Sequence, residues 1–296
     1  MKRLLLFLLL FPLACSAQHV FKTDFQNFWA MRDSVLVTAD TAKQLNAINR
    51  LYIDKASDGL KAFMRNKEGL DRKWLNLIKV YPSFWDSLKM KTPLVDRAAE
   101  KLEKAITHFQ VLYPELTPAQ TYFLIGIRQQ GGTVRGNLSL IGVEVVLTSP
   151  GITEDELVRM GIHEYVHTQQ KRPDFQKINV LMSSIREGAC DFLSFVITGI
   201  AINSAYMSYG LKHEQEVWLS FQKEMYTNQN DHWVSTGNNP SLPAPDLGYF
   251  VGYQICKAYY EKAADKKKAI SELINLNYPD DSAVTGFLKQ SGYKGH

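Results

Sequence analysis

"GIHEYVHTQQ", residues 161–170, decides how the rest of the chain reads. A helix turns about 100° per residue, so His163 and His167, four apart, stack on one face and can share one ion. Glu164 sits a quarter turn away, where a carboxylate serves as a base beside a metal rather than as a ligand. Val158, Ile162 and Val166 form an apolar stripe on the other flank. The stretch predicts a helix half buried in a core and half facing a cleft. The competing reading is an ordinary amphipathic helix that contains histidines, and a third ligand separates the two.

That ligand is sought on either side. Upstream, "SPGITEDELVRM" opens the helix: Thr153 and Glu156 have capping-box spacing, and acids crowd the first turn, where the helix dipole favours them. The helix should end near Gln170, before Pro173. Downstream, "SSIREGACDFLSF" places Glu187 and Asp191 four apart on a second helix, with Glu187 twenty residues after His167. Ile185, Phe192, Leu193, Phe195 and Val196 predict that this helix is buried, where unpaired carboxylates are costly. Glu187 is therefore the expected third metal ligand. Asp191 is expected to accept a hydrogen bond from the distal nitrogen of His163 and fix its tautomer. Cys190 falls off their face and reads as small apolar packing. His213 and His232 read as surface or loop residues.

Farther out, "TYFLIGIR" and "LSLIGVEVVL" are apolar and β-branched, predicting strands over 121–128 and 138–147 with the turn-rich "QQGGTVRGN" between them. Helices are predicted over about 175–200, 213–227, 247–263 and 267–275. Before Pro114 the chain reads as short helices punctuated by Pro82 and Pro93. Phe25, Phe28, Trp29 and Met31 fall at helical spacing, as do Leu94, Ala98, Leu102, Ile106 and Phe109. The organisation expected is a helical N-terminal region over 18–115 and a catalytic region over 116–296. The fold class expected is α+β, mainly helical, with a small sheet.

Residues 1–17 have the form of a signal peptide. Met1-Lys2-Arg3 is basic, and Leu4–Leu13 is an apolar run too short to span a bilayer as a helix. Two processing routes stay open: a cut after Ala17, or a cut before Cys15 with acylation of that cysteine, although Pro12 departs from the usual lipobox. Either route implies an extracytoplasmic protein, attached to a membrane through a lipid anchor if at all. Apolar residues make up 45% and charged residues 22% of the 296, ordinary for a soluble globular chain. Loss of residues 1–17 removes Lys2 and Arg3 and no acid, lowering the formal charge from +4 to +2. So balanced a chain argues against a nucleic-acid partner. Cys190 and Cys256 remain as a pair that an oxidising compartment could join.

The pattern HEYVH followed by EGACD resembles HExxH…ExxxD, the gluzincin arrangement of thermolysin-like peptidases. More narrowly, "DFQNFW", "YFLIGIRQQGGTV", "HEYVHTQQ", "REGACDF" and "GYFVGYQICKAYYE" resemble a family of predicted zinc-dependent proteases that includes gliding-motility lipoprotein B-type envelope proteins. The resemblance implies a zincin-like fold and bound Zn2+. It also implies an edge strand just before the metal helix that binds substrate backbone, the place expected of strand 138–147, with Gly131-Gly132 as the turn feeding it. Tyr249 and Tyr253, each just after a glycine, are candidate oxyanion donors, against the plainer reading of a core stripe with Ile255 and Tyr259. The function expected is an exported zinc metallopeptidase acting on a peptide or protein, with Glu164 as base. The alternatives are an envelope assembly or binding protein that retains the fold without catalysis, and a zinc hydrolase of non-peptide amides.

Overall fold

The computed structural model describes residues 18–65, 68–128, 130–148, 151–174, 176–237, 239 and 242–295. The leader-like segment with Cys15, and Phe175 at the start of one expected helix, lie outside the described residues. The chain is mainly helical around one small sheet. Among the described residues no helix is long and apolar enough to cross a membrane.

The N-terminal region supplies strand β1 (Val20–Phe21) and helices α1 (Thr23–Leu36), α2 (Thr41–Ile48), α3 (Asp58–Phe63), α4 (Leu70–Val80), α5 (Pro82–Met90) and α6 (Thr92–Leu112). Side chains start two of them: Asp40 accepts from the N–H groups of Ala42 and Lys43, and Ser57 from that of Leu60. Proline opens α5 and lies in the first turn of α6, where no helical partner for its missing N–H is lost. Phe28 sits among Trp29, Tyr52, Trp74 and Trp85 at ring separations of 4.9–5.6 Å, the aromatic centre of this part of the core.

The sheet adds β2 (Gln120–Leu124), β3 (Gly132–Arg135) and β4 (Leu138–Gly142) in the order β1-β2-β4-β3. β1, β2 and β4 run parallel, and β3 is antiparallel to β4 with Gly132 opposite Ile141 and Arg135 opposite Leu138. Two expectations change. The segment expected as a turn contains β3, so β4 is interior and the edge nearest the HEYVH segment is β3. The second strand also stops at Gly142, and Val143–Val146 form a short helix, α7. Its Glu144 turns inward, where a carboxylate oxygen accepts from the Arg128 N–H at 3.1 Å. Tertiary contact thus overrides the β propensity of "VEVV".

The rest is helical: α8 (Glu154–Gln169), α9 (Val180–Thr198), α10 (Ala205–Lys212), α11 (Glu214–Glu224), α12 (Leu247–Lys262), α13 (Lys266–Asn275) and α14 (Asp281–Ser291). α8 lies between the sheet and α9, with α6 along its other side, and α12 packs on α9. Two devices fix this stack. Glu154 and Asp155, in the first turn of α8, pair with Arg97 and Lys101 of α6. Gly188 of α9 and Gly252 of α12 meet backbone to backbone, and a Cβ on either would overlap the other helix. The N-terminal region is therefore no separate module: β1 joins the sheet, and α6 shares the core with α8.

Candidate metal centre

α8 begins at Thr153 in extended conformation, but the Thr153 hydroxyl caps nothing. Glu156, expected to complete a capping box, pairs instead with Arg159 at 3.1 Å. The helix ends where Gln170 turns extended, three residues before Pro173. α9 begins with Asn179, whose side chain accepts from the Met182 N–H at 3.0 Å, and stops at Gly199, whose φ of 71° is left-handed. Both helices are buried along most of their length around the middle, where the site forms.

His163, Glu164 and His167 are 6%, 7% and 8% exposed, so all three are buried. The imidazole Nε2 of His167 is 3.0 Å from Glu187 Oε2, and Nε2 of His163 is 3.5 Å from the same oxygen. Two ring nitrogens and one carboxylate oxygen, from the expected residues, thus converge on one point. The opposite ring nitrogens are tied back differently. His163 Nδ1 donates to Asp191 Oδ1 at 2.9 Å, as expected, since a carboxylate only accepts. Asp191 is held in turn by Arg159 (3.2 Å) and by the Tyr206 hydroxyl (2.6 Å). His167 Nδ1 faces Gln170 Oε1 at 2.8 Å, and the Gln170 amide nitrogen donates to the Arg186 carbonyl and the Tyr278 hydroxyl, each at 3.2 Å.

Cys190 corrects the sequence reading. It does not point away from the site: its Sγ lies 3.1 Å from His167 Nδ1. His163, His167 and Cys190 are all buried and offer ligand atoms within 4.8 Å of one another, a cluster that could hold a metal ion. Glu187 nevertheless fits the converging nitrogens better. The thiol sits at the back edge of the His167 ring, where Nδ1 is already engaged by Gln170, while Nε2 of both rings faces Glu187. Burial also pushes the Cys190 thiol well up, away from the thiolate that binds metals. Cys190 and Cys256 are both free and buried.

The charges are strongly coupled. Burial alone would lower the His163 pKa, but hydrogen bonds to Asp191 and Glu187 outweigh it and raise it to about 10. Burial would raise Glu187, yet His167, His163 and Arg186, whose guanidinium is 2.7 Å from Glu187 Oε1, hold it well below the carboxylate range. Asp191 is likewise lowered by His163 and Arg159 against its burial. Glu164 goes the other way, raised by burial against the pull of the two histidines. Among the described residues it accepts no hydrogen bond, and it faces Gly132 of β3, where a Cβ would collide with its carboxylate.

The two tyrosines separate. The Tyr249 ring lies 6.2 Å from that of His163 and 5.6 Å from that of Tyr206, with its hydroxyl unpartnered among the described residues. Tyr253 instead packs edge-on against Phe192 at 5.4 Å. His213 and His232 pair with Glu216 and Glu224 away from the centre. The sequence reading missed Arg159, Gln170, Arg186 and Tyr206. Arg159, one turn before His163 on the same helix face, was the legible one; Tyr206 comes from α10, a helix not anticipated. A cleft of about 810 Å³ runs beside the first half of α8, bounded by Gly131, Glu156, Arg159, Met160, Gly199 and Ser204. It stops short of the converging ring nitrogens, and Arg159 is the residue the two share.

Comparison with protein-family models, with curated proteins and with solved structures returned no match for this chain.

Proposed function

We propose that the chain is an exported zinc metallopeptidase whose metal is held by His163, His167 and Glu187. The observation that carries the reading is the convergence of both Nε2 atoms on Glu187 Oε2 beside an unpartnered, buried Glu164. Two imidazoles and one carboxylate, with a fourth position left over, are the donor set of catalytic rather than structural zinc. Zinc bound there would supply Lewis acidity towards a carbonyl and bring the acidity of a water close to neutrality.

The chain's own residues do the rest. Asp191 and Gln170 hold the two rings with Nε2 forward. Glu164, its carboxyl pKa raised by burial, takes the proton from the attacking water and returns it to the leaving nitrogen. The Tyr249 hydroxyl is the donor that meets the oxyanion as it develops. The outer edge of β3, adjoining Glu164 through Gly132, offers an extended peptide backbone a place to pair.

Glu164→Gln tests this reading, because the amide keeps the shape and cannot act as base. The metal content should be unchanged, and peptide turnover should fall by about 10²–10⁴-fold. A variant that retains both metal and full turnover would contradict the mechanism.

A further inference from the structure

The cleft of about 810 Å³ beside α8 begins where β3 begins. Gly131 lines it, and the Gly131 carbonyl accepts from the Gly142 N–H at 2.9 Å, in the register that sets Gly132 opposite Ile141. Backbone groups of successive strand residues point to opposite sides. Those of Gly131, Thr133 and Arg135 therefore turn to β4, and those of Gly132 and Val134 turn outward. Gly132 also lies against Glu164, whose carboxylate occupies the place of a Cβ. An extended peptide paired with Gly132 and Val134 thus passes Glu164 and meets the cleft at Gly131.

Along α8 the cleft is lined from Thr153 to Met160. Seven helical steps of about 1.5 Å make about 10 Å, the length of about three extended residues. Its charged lining groups already have partners. Arg159 is held by Glu156 at 3.1 Å and by Asp191 at 3.2 Å, and Asp155 pairs with Lys101 at 2.8 Å. Among the described residues the cleft therefore offers no unpaired cation to a terminal carboxylate and no unpaired anion to a terminal amine. A site that receives chain ends needs one or the other, since a desolvated terminal charge without a partner is costly. A chain that runs on needs neither.

We propose that this cleft continues the track along β3 and holds about three residues of an extended polypeptide, so that the bond facing Glu164 is an internal one. The substrates are then flexible protein segments, cut as by an endopeptidase, rather than chain ends. The cutting rests on the zinc-peptidase reading, whereas binding in the cleft does not.

The test uses peptides of about ten residues, acetylated and amidated at their ends, selected from a library for the best-cut and the tightest-bound sequences. Each is also shortened by about three residues from one end and then from the other. Cleavage by the zinc-loaded chain is followed by mass spectrometry, and binding to the zinc-loaded Glu164→Gln chain by fluorescence anisotropy. Ala201→Trp and Ala205→Trp narrow the cleft; both alanines line it at exposed positions, so the core is left alone. The blocked peptides should be cut at internal bonds, and shortening one end should lower kcat/KM and affinity by about tenfold or more. Each Trp variant should erase that gain and leave turnover of the shortened peptide as in the parent. Cleavage that needs a free terminus, or a length gain that survives both Trp variants, overturns the proposal. Cleavage indifferent to length keeps the peptidase and removes the cleft from its track. A length-dependent affinity lost in the Trp variants, with no peptide cut, keeps the cleft as a polypeptide site and removes the peptidase.

Discussion

At the scale of single residues, the two histidines of α8 have unequal supports. His163 leans on a carboxylate that is itself held by Arg159 and Tyr206, whereas His167 leans on the neutral amide of Gln170. Gln170 reaches the Tyr278 hydroxyl, which donates to the Leu273 carbonyl at 2.7 Å, so the C-terminal helices help to aim the His167 ring. Gln170→Ala should therefore weaken metal binding by about 10–100-fold with little effect on the helices. Competition with a chromophoric chelator measures this, and an unchanged affinity would show that the ring is aimed without the amide. His163, His167, Glu187 and Asp191 were legible in the sequence because a four-residue spacing on a helix fixes which side chains share a face. Cys190 was not, since its place beside His167 depends on how α8 and α9 pack.

At the scale of elements, the decisive contact is between α9 and α12, where Gly188 and Gly252 let the backbones touch. This approach brings Tyr249 over the His163 ring. Gly252→Ala would put a methyl group into the Ser184 carbonyl. It should cost at least about 1–3 kcal/mol by overpacking and disturb the tyrosine as well. Thermal melts with tyrosine-dependent near-ultraviolet dichroism would record both effects, and a variant as stable as the parent would contradict so close an approach. Helix positions were largely readable from periodicity, as in α6, α8, α9 and α12. The strands were less so. Apolar β-branched residues in "VEVVL" have no period of their own, and in the fold they form α7 with Glu144 buried. β3 was hidden in a glycine-rich stretch because it gains its pairing only from β4.

At the scale of the whole molecule, Glu144 couples folding to pH. It is fully buried, one carboxylate oxygen has no partner among the described residues, and burial, against backbone hydrogen bonds, raises its pKa from 4.5 to about 7. A group that binds its proton more tightly when folded adds stability that is complete below about pH 4.5 and is lost as pH rises through about 7. The shift corresponds to about 3 kcal/mol. Glu144→Gln should flatten that part of the stability profile in denaturant titrations between about pH 4.5 and pH 8. A variant with the same slope as the parent would exclude Glu144 as its source.

The central claim is that this buried site holds one metal ion, and bound metal tests it most directly. The chain from Gln18 onward, purified without added metal and reconstituted with zinc, should carry about one zinc per molecule by elemental analysis, and His163→Ala should carry almost none. A folded parent protein that binds no zinc, or a His163→Ala variant that binds as much as the parent, would contradict the account.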